Sequence, residues 1–369
     1  MKVLFITQNL APFRILWLES LSSCSSAEIT VAYLGQYEAR TQASYKNVTS
    51  KCLTLKNVGH RIGTIWLYHY GTVLKLADEA DMVIVDGYGF LAQMILIPML
   101  KRHRIKFVLS ADGGIQPEHE NKIKHSVKKH LISAADYYFS TCPEMDAILK
   151  YYGANEKNIF RHRFASINSA EIIKEPLSNA EKSARKRKLG LEDKPLVISV
   201  GKDPEGKGFD TLLCALKAFP RQMQCYVIGA SEADMKDFLS GIENDWIQYI
   251  HCIPYMDKKH LEEYYQASDL FVLPTRHDVW GLVIGEAMAN GVSVITTDQC
   301  IAGINMLPES QIIPVENEKE LSIKMLEYLS DPEKRMKTEM QQLETIREYA
   351  YDVAAREDWK NLMKIYKMV

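Results

Sequence analysis

The chain has 369 residues, 47% hydrophobic and 25% charged, with 45 Lys plus Arg against 47 Asp plus Glu. That length and balance fit two soluble globular domains, each large enough for its own core, and no low-complexity segment or solenoid-period repeat is evident. The near-neutral total hides an asymmetry. Residues 1–175 carry 21 basic side chains against 16 acidic ones and residues 176–369 carry 24 against 31, so the first half is the one suited to an anionic partner or surface.

The seven cysteines (Cys24, Cys52, Cys142, Cys214, Cys225, Cys252 and Cys300) stand singly, without a CxxC pair. This pattern points to a reducing cytoplasm and away from a disulfide framework or a zinc site. The opening MKVLFITQNLAPF lacks a cleavage-site pattern and reads as a first strand. The longest apolar stretch, Phe90 to Leu100, contains Pro98 and is too short to span a bilayer.

Strands and helices alternate along the chain, the pattern of parallel sheets with helical crossovers. Apolar runs predict strands at Val3–Thr7, Ile29–Tyr33, Met82–Val85, Phe107–Ser110 and Tyr137–Ser140, then at Leu196–Val200, Cys225–Ile228, Tyr249–Cys252, Leu270–Leu273 and Ser293–Thr296. Helical periodicity predicts Ile15–Ser22, Leu91–Arg102, Asn121–Ser133 and Pro143–Tyr152, then Phe209–Ala218, Lys258–Ala267, Leu282–Ala289 and a final stretch from Tyr351 to Met368. The rhythm breaks between Phe164 and Pro195, where the charged run NAEKSARKRKLGLEDK intervenes. A first Rossmann-like domain is therefore expected at 1–165 and a second at 190–340.

Four segments carry candidate chemistry. Asp112-Gly113-Gly114 follows a predicted strand, where it is either a plain turn or part of a site. The next helix holds Lys122, Lys124, His125, Lys128, Lys129 and His130 around Ile123, Val127, Leu131 and Ile132, at i, i+4, i+8 spacing. It packs its apolar stripe on its own sheet or docks on anionic lipid. Nucleic acid fits less well, since no aromatic residues interleave with the charges.

Further on, LVISVGKDPEGKGFDTLLCAL reads as strand, Gly/Pro-rich loop and helix, with Lys202 and Lys207 in a loop at a strand's carboxyl end. Two ammonium groups there could neutralise a diphosphate. The same loop nearly spells a P-loop, but position 208 is Gly, not Ser or Thr, and Asp269 precedes its strand instead of ending it. The fourth segment, ASDLFVLPTRHDVWGLVIGEAMANG, reads as a buried strand, a loop and a helix closed by Gly291. It sets Asp278 and Glu286 eight residues apart across a strand-to-helix junction, at the end of a strand where open α/β sheets bind ligands. The helix start adds unpaired N–H groups and a positive dipole end.

PTRHDVWGLVIGEAMANGVSVITTD resembles the carboxylate motif of retaining glycosyltransferases of the GT-B type, family 4, with Asp278 where those enzymes usually carry Glu. Gly201-Lys202 and Lys207-Gly208 match the family's Gly-Arg and Lys-Gly pairs, with lysine for the usual arginine. FVLSADGGIQPEHENKIKHSVKKHLISAADYYFST resembles the acceptor-side region of bacterial capsule, exopolysaccharide and lipopolysaccharide transferases, with Asp112 near the position of a frequent histidine. The family's Gly-rich first loop is replaced by Gln8-Asn9-Leu10-Ala11-Pro12. The resemblance is strong over about 195–300, moderate over 105–165 and thin before residue 80.

The resemblance implies an α/β GT-B fold: two Rossmann-like domains facing across a cleft, a nucleotide-sugar domain at 190–340, and an acceptor domain at 1–165 joined by a returning C-terminal helix at about 350–369. It implies a retaining transfer from a nucleotide sugar, UDP-sugar before GDP-sugar, to a glycan or polyprenyl-diphosphate-linked acceptor. Lys202 and Lys207 would hold the diphosphate, with Gly201 and Thr275 in the same loops. Asp278 and the backbone of Trp280, Gly281 and Leu282 would hold the sugar, Glu286 the ribose, and Ile253 to Tyr255 the base. No Asp-x-Asp occurs in the chain, so no metal and no bound cofactor are expected. The enzyme is expected in the cytoplasm, with peripheral contact to the membrane's inner face through 122–132. Other readings are a GT-B epimerase or phosphorylase, a non-catalytic sugar-nucleotide-binding subunit and, more distantly, a P-loop-like NTPase.

Overall fold

The computed structural model describes residues 1–8, 11–35, 53–62, 65–116, 119–164, 166–219, 223–240 and 245–368. Asn9 and Leu10 of the first loop, and Cys52, lie outside them. The chain divides into two compact units, Met1–Ser166 with Tyr349–Val369, and Ile167–Glu348.

The first unit is built on strands β1 (Lys2–Thr7), β2 (Glu28–Tyr33), β3 (Leu53–Asn57), β6 (Met82–Asp86), β7 (Val108–Ala111), β8 (Tyr137–Ser140) and β9 (Ile159–Arg161). They pair in parallel in the order β3-β2-β1-β6-β7-β8-β9. A short antiparallel ribbon, β4 (Gly59–Ile62) and β5 (Ile65–Tyr68), stands outside that sheet. The central strands are almost continuously apolar because helices cover both faces of such a sheet. In β1, Val3 to Thr7 are all buried, and in β6 Met82 to Val85 are.

The last helix, Tyr351–Tyr366, returns to this unit as the GT-B pattern implies. Tyr351, Ala355, Leu362 and Ile365 join the same apolar core as Phe5, Trp17 and Phe139. A buried polar knot fixes its register. Asp358 accepts from Trp17 Nε1 at 2.8 Å and pairs with His162 Nδ1 at 2.9 Å, while Asn361 donates to the Arg161 carbonyl at 3.1 Å.

The second unit has strands β10 (Leu196–Val200), β11 (Gln224–Ile228), β12 (His251–Ile253), β13 (Leu270–Leu273), β14 (Ser293–Thr297) and β15 (Ile312–Ile313). These are also parallel, in the order β12-β11-β10-β13-β14-β15. The core joins Val197, Phe209, Leu212, Val227, Leu270 and Ile295 with Met325 and Tyr328 of the helix Glu318–Ser330.

The charged run after residue 178 corrects the expected break in rhythm: it opens as a helix, Asn179–Lys188. Ser178 caps it reciprocally with Glu181. Two of its three lysines are buried, and Lys188 is exposed. Lys182 reaches Glu339 at 2.8 Å, both side chains 2% exposed, and Lys186 reaches Asp269 at 2.5 Å. Composition hid this because charge alone does not reveal a buried partner more than 80 residues away.

Asp269 is the centre of that network. It accepts from the Leu196 N–H at 2.8 Å as well as from Lys186, and Arg335 stands 3.6 Å away. It thereby ties the starts of β10 and β13 together. Removing one member of a buried ion network leaves the other charges uncompensated. Asp269→Ala is expected to cost about 3–5 kcal/mol, read as a lowered guanidinium midpoint for the second unit. A midpoint within 0.1 M of wild type would show that Lys186 finds another partner.

Candidate functional site

In the second sheet the strand order reverses between β10 and β13, so their carboxyl ends flank a crevice of the kind that binds ligands in open α/β sheets. β10 runs into the loop Gly201–Gly208 and β13 into Pro274–Gly281. Most of the residues singled out in the sequence emerge from these two loops.

The loops interlock through backbone. Gly208 has φ +66°, and a Cβ there would lie 2.0 Å from the Pro274 carbonyl oxygen, so only glycine fits. Thr275 Oγ1 donates to the Gly206 carbonyl at 2.9 Å, and the Arg276 N–H donates to the same oxygen at 2.9 Å. Thr275 is fully buried and has a structural place here. Gly201 leaves room for the Lys207 stem, since a Cβ would meet Lys207 Cγ at 2.7 Å.

Lys207 is thus laid across the crevice, where its Nζ pairs with Asp278 Oδ2 at 2.5 Å. Both side chains are only partly exposed, 21% and 15%. Asp278 is itself held: its N–H donates to the Gln299 carbonyl at 2.9 Å, and its Oδ1 accepts from the Trp280 N–H at 3.3 Å. Lys202 takes another course, with its ammonium 5.1 Å from the centroid of the exposed Tyr255 ring. Tyr255 follows β12, which ends at Ile253, so Gly201, Lys202, Ile253 and Tyr255 border one end of this sheet.

Gly281 caps the helix Leu282–Ala289 at φ +94°, and a Cβ there would stand 2.7 Å from Cys300 Sγ. Trp280 is buried beside it, its carbonyl accepting from the Ala302 N–H at 2.7 Å. Burial, with the Asp278 charge adding to it, pushes the Cys300 thiol up to about 11, so this cysteine is a packing residue rather than a nucleophile. Glu286 lies one turn into the helix and lines a small pocket with Ile167, Glu171, Lys258, Tyr265 and Asn290, which includes neither Lys207 nor Asp278. Its Oε2 accepts from Tyr265 OH at 3.5 Å, and burial together with the Glu286 carboxylate raises the Tyr265 phenol well above its ordinary range.

Arg276 is a participant that sequence reasoning passes over. Its guanidinium holds Asp210 bidentately at 3.0 and 2.7 Å, Glu316 at 2.6 Å and the Glu205 carbonyl at 2.6 Å. The hydrogen bond to Asp210, reinforced by Glu316, raises its pKa further. It clamps the lysine-bearing loop to the Asp278 loop. Its position directly after Thr275 is the only signal the sequence offers. Asp269, held by Lys186 and Leu196 at the start of β13, cannot serve as the acid a P-loop site needs at a strand's end.

Asp112 belongs to the first unit, just past β7. Arg14 holds it at 2.5 and 2.7 Å and also reaches Asp86 at 2.9 Å. Arg14 and Asp86 were not singled out by the sequence, although Asp86 ends an apolar strand, a readable sign. Among the described residues, no group of three or more His, Cys, Asp or Glu side chains is arranged to hold a metal ion, and none of the six described cysteines is in a disulfide.

Residues 181–343 match the family described as Glycosyl transferases group 1. Among curated proteins, the D-inositol 3-phosphate glycosyltransferase of Xylanimonas cellulosilytica is 25% identical over 204 residues, 52% of this chain and 47% of that one. Mannosylfructose-phosphate synthase of Agrobacterium fabrum is 25% identical over 196 residues, 49% and 42% of the respective chains. The chain therefore spans about half the length of the curated relatives it matches. Anabaena Alr3699/HepE, solved in complex with UDP, aligns over 100% of both chains with a TM-score of 0.78 at 15% identity. The chain has the GT-B fold, and the match to the glycosyl transferases group 1 family falls within its second unit.

The interlock gives a direct test. Gly208→Ala adds a Cβ to a residue at positive φ with no room before Pro274, and is expected to destabilise the second unit by about 2 kcal/mol or more. Calorimetric melting of the variant measures this; an unchanged melt would show that the two loops can part without loss.

Proposed function

We propose that the chain is a retaining glycosyltransferase that moves a sugar from a nucleotide-sugar donor, UDP-sugar before GDP-sugar, to a glycan or lipid-linked saccharide in cell-surface polysaccharide synthesis. The observation that carries this reading is the Lys207–Asp278 pair at the strand-order reversal of the second sheet, with Lys202 in the same loop. The family match over this unit and the UDP bound by the Anabaena structure support it.

Lys207 and Lys202 hold the diphosphate, joined by N–H groups at the start of the helix Leu282–Ala289. Without ligand, Lys207 is neutralised by Asp278. An arriving diphosphate competes for the ammonium and leaves Asp278 able to accept from a donor-sugar hydroxyl. The backbone of Trp280, Gly281 and Leu282 lines the sugar, Glu286 accepts from the ribose hydroxyls, and Ile253 to Tyr255 face the base. Asp112 serves the acceptor half in the first unit. In the transfer, the acceptor hydroxyl oxygen bonds to the anomeric carbon as the bond to the diphosphate oxygen breaks on the same face. The departing phosphate oxygen takes the hydroxyl proton, leaving glycoside and nucleoside diphosphate. The protein's part is charge stabilisation and positioning, which needs no metal in this scheme.

A GT-B epimerase would turn over the donor without any acceptor, a phosphorylase would carry pyridoxal phosphate detectable by its absorbance, and a binding subunit would show no turnover. Lys207→Ala is expected to lower transfer by about 10²-fold or more, and Lys202→Ala to act in the same direction, with Lys202→Arg tolerated. Steady-state transfer from UDP-sugar measures both. Undiminished turnover by Lys207→Ala would remove the diphosphate assignment.

The same reading includes peripheral contact with an anionic membrane. On the helix Lys122–Ile132, Ile123 is 74% exposed and Val127 is also exposed, while only Leu131 and Ile132 are buried. Half of the apolar stripe therefore lies uncovered among lysines, each worth about 1 kcal/mol near an anionic surface. No helix among the described residues is long and apolar enough to cross a membrane. Co-sedimentation with phosphatidylglycerol vesicles, lost on Lys122→Glu/Lys124→Glu/Lys129→Glu, is the expected result. Equal sedimentation of both proteins would remove the membrane contact.

A further inference from the structure

The first sheet reverses its strand order between β1 and β6, and at their carboxyl ends lies a second pocket, of about 150 Å³. Thr7, Gln8, Arg14, Asp86, Ser110 and Asp112 line it, with Phe13 and Phe90 as apolar walls. The volume equals that of about five liquid waters, the scale of a single sugar ring.

Arg14 is 4% exposed and Ser110 1% exposed, yet Arg14 Nη1 and Ser110 Oγ are buried without a hydrogen-bond partner, as is Gln8 Oε1. A guanidinium N–H needs an acceptor, an amide oxygen needs a donor, and a serine hydroxyl takes either. Leaving three such groups unmet around one pocket is costly, and a ligand that supplies both roles satisfies them. Neighbouring hydroxyls on one ring do so.

The charge present argues against an anion. Arg14 is the only Lys or Arg lining the pocket among the described residues, and both Asp86 and Asp112 already engage its Nη2. Thr7 Oγ1 donates to the other Asp86 oxygen at 2.8 Å, so this carboxylate is fixed within the site. An incoming phosphate would meet two carboxylates and one N–H edge.

We propose that the pocket of the first unit binds an uncharged sugar ring through adjacent hydroxyls, held by Arg14 Nη1, Ser110 Oγ and Gln8 Oε1, and selects against phosphorylated sugars. Taking this ring to be the acceptor's terminal residue rests on the transferase reading; its binding does not. Phe13 and Phe90 offer apolar surface to the C–H face of the ring. Asp86 is pushed upward by burial, with Arg14 pulling against it, which fits a site that tolerates no further negative charge.

The test titrates the full chain with a methyl hexopyranoside and with a hexose 6-phosphate by calorimetry and saturation-transfer NMR, with UDP as a separate arm. Expected are saturable binding of the hexoside and at least about 10-fold weaker binding of the phosphate. Ser110→Ala is expected to weaken the hexoside about 5-fold through one lost hydrogen bond, and Gln8→Leu to act in the same direction. Circular dichroism melts check that each variant is folded. Equal or tighter binding of the sugar phosphate would overturn the charge selection. No saturable hexoside binding, or binding indifferent to both substitutions, would overturn the pocket assignment. Hexoside binding without UDP binding would keep this site and sink the transferase reading; UDP binding without hexoside binding would do the reverse.

Discussion

A parallel sheet whose strand order reverses must send two neighbouring strands to opposite sides for their crossovers, and the gap between their carboxyl ends cannot be covered by either connection. The chain meets this constraint twice, at β1/β6 and at β10/β13. The Lys207–Asp278 pair sits at one of these openings and the Arg14, Asp86 and Asp112 cluster at the other. The apolar strands in between carry no chemistry. Their near-continuous hydrophobicity is the condition for having helices on both faces, and the helices in turn confine the backbone irregularity to the strand ends.

Within the second unit, the site depends on how closely two loops approach. Gly208 against the Pro274 carbonyl, and Arg276 joined to Asp210, Glu316 and the Glu205 carbonyl, hold the Lys207 loop against the Asp278 loop. This explains a choice of residues that ligand chemistry alone does not. Lys207 is positioned by a missing Cβ at Gly201 and Asp278 by backbone bonds to Gln299 and Trp280, so the ion pair forms without either long side chain searching for the other. On the proposed function, such preorganisation would let charge stabilisation act without reorganisation at the moment of reaction.

The two sheets, the returning helix and the lysine and carboxylate loops were legible because each leaves a local trace. Buried parallel strands read as apolar runs, and Gly201, Lys207 and Gly208 sit at fixed spacing around one turn. Tertiary pairing left no such trace. Lys182 and Lys186 look like solvated charge until Glu339 and Asp269 are placed beside them. Arg14 lies just before the predicted helix Ile15–Ser22, inside the observed one at Pro12–Ser23, 98 residues from Asp112, and no periodicity links the two. The strands β3, β4, β5, β9 and β15 escaped prediction: β9 and β15 have only 3 and 2 residues, and β3 buries only Leu53. For Glu286 the helix Leu282–Ala289 was legible, but its contact with Tyr265 was not, because spacing gives a helix face and not the tertiary partner.

The two openings also differ in charge, and the difference follows from which residues are free to meet a ligand. In the second unit the loop after β10 supplies two ammonium groups beside its own Asp203 and Glu205, and Asp278 is the counter-charge that Lys207 holds. In the first unit a single guanidinium is already shared by two carboxylates through Nη2, and the groups left unsatisfied beside it are Arg14 Nη1 and two neutral atoms, Ser110 Oγ and Gln8 Oε1. On the proposed function, two halves built on the same sheet plan would sort a charged donor from an uncharged acceptor by electrostatics as well as by shape.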